Sequence, residues 1–262
     1  MVNIKSYDKL FQILDYVKTN PNVKLQTLVE DLCMSKSTLH RIVMELVDYG
    51  VLLRDGRSRT YRLGPKLIDY GTAVIESFDI RHECAEAISE LNRITLETVH
   101  LATFVDQKIL YVDKRESPHN IRMYSMIGKE APFYCTGVGK AIMAFQNIET
   151  IESVLKKRPL VAYTEHTIVD AGRLKQEFET IRREKVAFDR EEHESGIICI
   201  ASPIFNHMGE VFASISVTSI TQRMSLARLE SYKSVLITST ETISKNLGYK
   251  VTAEDCGFLN EV

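Results

Sequence analysis

No stretch of the chain approaches the roughly 18 consecutive apolar residues that span a bilayer. The opening Met1-Val2-Asn3-Ile4-Lys5-Ser6 lacks the basic-then-apolar order of a secretory signal. A cytoplasmic protein with no membrane partner is therefore expected. Cysteine is sparse and odd in number: Cys33, Cys84, Cys135, Cys199 and Cys256 lie far apart, and none stands in C-x-x-C spacing. That pattern excludes a disulfide framework and a zinc ribbon, and predicts reduced, mostly buried thiols. Internal repeats and low-complexity tracts are also missing. Neither charge sign dominates, with 33 Lys and Arg against 35 Asp and Glu. What remains is ordinary: 44% hydrophobic and 26% charged residues over 262 positions, enough for two cores.

The small net charge conceals an asymmetry. Residues 1–64 carry ten basic and seven acidic side chains, a net +3, which leaves −5 on the remainder. A mildly basic head on an acidic body suits a nucleic-acid-binding module joined to something else. Within the head, Ile4, Tyr7, Phe11 and Leu14, with Leu10 and Val17 beside them, predict one helix ended by Asn20-Pro21. Leu25, Leu28, Val29 and Leu32 mark a second helix. Ser35 is a good N-cap for a third, with Leu39, Ile42, Val43 and Leu46 inward and Gly50 placed beyond its end. Two helices joined by a tight turn form a helix-turn-helix. The third helix presents Lys36, Ser37, His40 and Arg41 outward, types that donate to base edges and phosphates. A solvated face presents the same residues, so the next segment decides. Residues 51–54 and 60–63 have strand composition around an Asp55-Gly56 turn signal, and Arg57, Ser58 and Arg59 occupy the tip. A basic-tipped hairpin after a recognition helix is a winged helix, and double-stranded DNA is its partner.

Beyond the wing, Pro65 suits the start of a linker helix with Leu67, Ile68, Gly71, Val74, Ile75 and Phe78 on one face. A second helix follows over 81–95. Strands are predicted at 101–105, 109–112, 121–126, 186–189, 197–205 and 211–219. Helices are predicted after Tyr134-Cys135-Thr136, near 149–156 and 171–184, and as one long helix over 225–247. The predicted class is α+β: a DNA-binding domain at 1–64, a linker helix at 65–79, a second domain at 80–249 with a mixed sheet flanked by helices, and a loose tail at 250–262.

The chain resembles the IclR family of bacterial regulators along nearly its whole length. The residues that carry the resemblance are Met34-Ser35-Lys36-Ser37-Thr38 with Arg41, then Tyr61-Arg62-Leu63-Gly64. In the second domain they are Gly137-Val138-Gly139-Lys140-Ala141, Asp189-x-Glu191-Glu192 through Gly196 to Cys199-Ile200-Ala201, and Ala213-x-Ile215-Ser216. Asn120 to Gly128 is similar to the keto-deoxygluconate-repressor branch, which answers to a sugar-acid breakdown product. The resemblance implies a GAF-like effector domain, a homodimer or dimer of dimers, a palindromic operator, no cofactor and no enzymatic activity. It implies DNA contacts from Ser35, Lys36, Ser37, Thr38, His40, Arg41, Arg57 and Arg59. It implies an effector pocket lined by Met123, Gly137, Val138, Asp189, Cys199, Ser216 and Thr218. Thr218 stands where the family often has serine, so the hydroxyl is kept and the pocket narrowed.

The pocket's chemistry also reads from the residues. Backbone N–H groups at Gly137-Val138 favour a carboxylate, and Ser216 and Thr218, two apart on a strand, share a face. Asp189 can accept from ligand hydroxyls, though beside a carboxylate it repels unless protonated or separated by a donor. A small hydroxylated or keto acid fits. A phosphate loop at Gly137–Lys140 fails, because Ala141 replaces the Ser/Thr and the earlier glycine is missing. Asp189, His193 and Cys199 offer the ingredients of a cysteine hydrolase. However, Glu191-Glu192-His193-Glu194 reads as a solvated loop, without a metal-ligand spacing. A non-sensing interaction module and a ligand-dependent activator are the remaining alternatives.

Overall fold

The protein is described by a computed structural model covering residues 4–76, 79–120 and 125–250. It divides into two compact units with the boundary between residues 78 and 79.

The first unit runs α1 (Ile4–Thr19), β1 (Val23–Lys24), α2 (Leu25–Asp31), α3 (Lys36–Asp48), β2 (Leu52–Arg54), β3 (Thr60–Leu63) and α4 (Lys66–Glu76). Ser35 caps α3 by accepting from the Thr38 N–H, and Leu39, Ile42, Val43 and Leu46 are its buried stripe. Gly50 takes the left-handed conformation after α3. Gly64 is required sterically, because a Cβ there would lie 2.1 Å from the Gly50 carbonyl oxygen. The buried face of α1 differs from the predicted one. Ile13 and Val17 are buried with Leu10 and Leu14 beside them, while Tyr7 and Phe11 are exposed. Two stripes of helical spacing overlap in α1, and the aliphatic one joins the core formed with Leu28 of α2, Leu39 and Val43 of α3 and Tyr61 of β3. The two-residue β1, too short to leave a pattern, joins the wing as an edge strand in the order β1-β3-β2.

The second unit runs α5 (Ile80–Thr95), β4 (Thr98–Val105), β5 (Lys108–Arg115), β6 (Glu130–Ala131), α6 (Gly137–Met143), α7 (Ile148–Lys157), α8 (Ala171–Glu184), β7 (Ala187–Arg190), β8 (Ile197–Phe205), β9 (Val211–Ile220), α9 (Leu226–Glu230) and α10 (Lys233–Asn246). Its sheet has the order β6-β5-β4-β9-β8-β7. Every pair is antiparallel, where a mixed sheet was predicted. The strand pairs β4–β5, β7–β8 and β8–β9 are hairpins joined by short turns, a connection that only antiparallel neighbours can use. One face is covered by α6, α7 and α8, the other by α5, α9 and α10. The long helix predicted over 225–247 is two. Ser231 donates its hydroxyl back to the Arg228 carbonyl, and the Tyr232 N–H bonds Leu229, a tighter i−3 turn that breaks the run. Most of the strand predicted at 121–126 and nearly all of the tail lie outside the described residues. Cys84, Cys135 and Cys199 are buried, but Cys33 is exposed.

Candidate functional site

Two groups of residues carry chemistry, one in each unit. On α3, Lys36, Ser37, His40 and Arg41 are exposed on one side of the helix. Arg41 is bridged to Glu45 one turn on at 2.9 Å, which holds its guanidinium along the helix. Ser35 and Thr38 are engaged with each other: Ser35 Oγ donates to Thr38 Oγ1 at 2.8 Å and accepts from the Thr38 N–H. Their evident task is local, setting the start of the helix. At the wing, Asp55 Oδ1 accepts from the N–H groups of Arg57 at 2.7 Å and Ser58 at 2.9 Å. These bonds, Ser58's first, hold the Asp55 carboxyl below its ordinary range. Arg59, not Gly56, takes the left-handed conformation that closes the loop. Arg57 and Arg59 are both exposed at the tip.

In the second unit, Gly137, Val138, Asp189, Cys199, Ser216 and Thr218 line one cavity of about 450 Å³. Strand register brings them together from distant parts of the sequence. Asp189 pairs with Cys199 and Cys199 with Thr218, forming one row across β7, β8 and β9. The adjacent row on the same face is Ala201, Ser216 and His100. The start of α6 is laid over these rows. A Cβ on Gly137 would meet those of Ala201 and Cys199 at 3.2 and 3.3 Å, so glycine permits this approach. Val138 is fixed by Ser214 Oγ, which donates to its carbonyl at 3.1 Å. Met123 falls outside the described residues.

Several lining residues were not foreseen. His100 is buried on β4, with Nε2 2.7 Å from Ser125 Oγ. A bulge in the β4–β5 pairing leaves Val112 between the pairs Leu101–Asp113 and Ala102–Tyr111. It thereby turns Tyr111 onto the cavity face, where its ring lies 5.0 Å from that of His100. A bulge leaves no periodic signal, so Tyr111 was invisible in the sequence. Lys129, Glu130, Tyr163, His193 and Glu194 also line it.

The stretch Glu191–Glu194 is not simply solvated. Glu192 is 3% exposed and paired with Lys140, itself fully buried, at 2.6 and 2.8 Å. Lys140 also reaches Glu177 of α8 at 3.2 Å. The reason is tertiary: Thr167 Oγ1 donates to the Glu192 carbonyl at 2.6 Å, and the residue folds inward over α6. The Glu192 N–H then donates to Asp189 Oδ1 at 2.7 Å. Burial nevertheless pushes the Asp189 carboxyl up to about 7, that backbone bond opposing. The Cys199 thiol donates to Asp189 Oδ2 at 3.8 Å, and burial, then Asp189, hold it well above its ordinary range. A thiol kept protonated beside a carboxylate is a poor nucleophile, against the hydrolase alternative. Among the described residues there is no cluster suited to a metal ion, and no helix is long and apolar enough to cross a membrane.

Comparison with known proteins agrees with this layout. Residues 6–56 match the model of the IclR helix-turn-helix domain, and residues 72–245 that of the bacterial transcriptional regulator IclR C-terminal domain. The chain is 32% identical over 247 residues to the HTH-type transcriptional regulator KdgR of Escherichia coli, spanning 94% of each protein. To KdgR of Dickeya chrysanthemi it is 31% identical, over 94% of this chain and 81% of that protein. Among solved structures, the IclR protein of Thermotoga maritima superposes with a TM-score of 0.63 at 34% identity, covering 94% of this chain and all of that one.

Proposed function

The chain belongs to the IclR family of DNA-binding transcription regulators, and from that premise we propose that it is a repressor released from a palindromic operator by a small sugar acid or keto acid. Residues 1–64 hold the DNA, the linker helix over 65–79 joins two heads in a dimer, and residues 80–249 bind the acid. A ligand that alters the angle between two linker helices alters the spacing of two recognition helices, and so the fit to two half-sites. One observation carries the choice of ligand. The cavity is lined by hydroxyls, an imidazole, the start of α6 and Asp189, which lies two strands from Thr218 with Cys199 between them. Donors suit a carboxylate, and Asp189 suits the hydroxyl or keto end. With a pKa of about 7, Asp189 both donates and accepts near neutrality.

The test is to select operator DNA with the full chain, then titrate the complex with pyruvate, gluconate and 2-keto-3-deoxygluconate. Dissociation by one of these acids, lost in Ser216→Ala, is expected. A sequence-specific complex indifferent to all three acids refutes this reading, and one tightened by an acid reverses its sign to activation or co-repression.

A further inference from the structure

Three hydroxyl groups surround His100, and none of the sequence motifs includes it. Its Nδ1 lies 3.3 Å from Thr218 Oγ1 and 3.5 Å from Ser216 Oγ, and those two oxygens are 3.5 Å apart. On the other side of the ring, Nε2 meets Ser125 Oγ at 2.7 Å. The ring is 2% exposed and held against Tyr111. Burial, then the charge of Lys114, lowers its pKa to about 3, so it is neutral at any working pH. A neutral imidazole has one donor and one acceptor, and the two choices have different consequences for the cavity.

With the proton on Nε2, the ring donates to Ser125 and its Nδ1 accepts one hydroxyl proton from the Ser216–Thr218 pair. One O–H is then left for the cavity. With the proton on Nδ1, the ring donates to the pair, Ser125 donates to Nε2, and both O–H groups turn to the cavity. A carboxylate oxygen only accepts, so it is matched by the second arrangement and half-matched by the first. We propose that His100 is a specificity-determining residue of this cavity, held as the Nδ1–H tautomer by a bound carboxylate and thereby presenting Ser216 and Thr218 as a paired donor to one of its oxygens. The strand rows add a reason for seating the carboxylate here. Cys199 lies between Thr218 and Asp189 and directs its thiol proton at Asp189, which screens the two negative groups from each other. This inference rests on the effector class proposed above.

The experiment uses the full chain and the acid of the pyruvate, gluconate and 2-keto-3-deoxygluconate panel that binds tightest, measured by calorimetry. Two variants are compared. His100→Asn places an amide N–H near the Nδ1 position, whereas His100→Leu removes both nitrogens. Acid affinity is expected to survive in His100→Asn and to fall about ten- to a hundredfold in His100→Leu, the range of one or two lost hydrogen bonds to a charged group. Operator affinity without acid stays unchanged in both. In protein carrying 15N-histidine, the ring signal absent from His100→Asn reports the proton on Nδ1 in the acid complex. Unaltered acid binding by His100→Leu, or a proton on Nε2 in the complex, overturns the inference and leaves the effector class standing. If His100→Leu fails to fold, the tautomer in the unaltered protein decides alone. Failure of every acid to bind removes the effector class and this inference together.

Discussion

Arg57 and Arg59 stand in solvent at the wing tip, while Asp55 fixes the loop backbone that carries them. If each contacts a phosphate, replacing either with alanine lowers the slope of log affinity against log salt by about one, with little change in sequence preference. His40 and Arg41 are exposed on α3, so if this helix enters the major groove as proposed, their alanine variants are expected to change which bases are selected. A salt series and a site selection on the four variants separate these roles, and four unchanged profiles would refute the docking geometry. At Asp189 the consequence is a dependence of stability on pH. Its pKa rises from an ordinary 3.8 to about 7 on folding, so the folded protein keeps a proton that the unfolded chain releases. The contribution of Asp189 to stability is therefore full below about pH 4 and is lost as pH rises through 7. Asp189→Asn escapes that loss. Its advantage in urea denaturation is expected to grow from nothing near pH 4 to roughly 2–4 kcal/mol at pH 8. A difference that stays constant with pH contradicts the burial argument.

Among the elements, α6 and the turn after β7 matter most, because both carry residues that line the cavity. The buried pair of Lys140 and Glu192 joins them, and Glu177 of α8 is a second partner of Lys140. Removing one partner strands a buried charge. Lys140→Met is expected to cost about 3–5 kcal/mol, whereas Lys140→Met with Glu192→Met recovers much of that loss. Denaturation of both variants tests this, and equal losses in the two would mean that the pair acts only through packing. Where the elements lie was largely legible in the sequence. The stripe of α3, its Ser35 cap, the wing strands and the hairpin turns all follow from local spacing and turn chemistry. The face of α1 was not, because Tyr7 and Phe11 satisfy helical spacing as well as Ile13 and Val17 do, and only the neighbouring helices choose between them. The break at Ser231 was equally hidden, since serine is tolerated within helices as well as at their ends.

For the whole molecule, the symmetric dimer proposed above would read a symmetric site. Selection from random DNA with the full chain is expected to return an inverted repeat whose half-sites lie about 10 base pairs apart, or a multiple of that spacing. A single unpaired half-site would contradict dimeric docking. The sequence by itself determined the class of molecule: a winged helix-turn-helix followed by an α+β domain, with six of the seven proposed effector residues that the strands later gather round one cavity. Helices, turns and amphipathic faces are set by neighbours three or four positions away, and a short motif survives in the chain as written. Only the tertiary structure decided that His100, Tyr111 and Ser125 join that cavity, and that Glu192 turns inward to a buried lysine. Those facts depend on strand register, on a bulge and on which side of a sheet a helix covers. Such choices are made between residues up to more than a hundred positions apart, by the joint packing of surfaces that no local window contains.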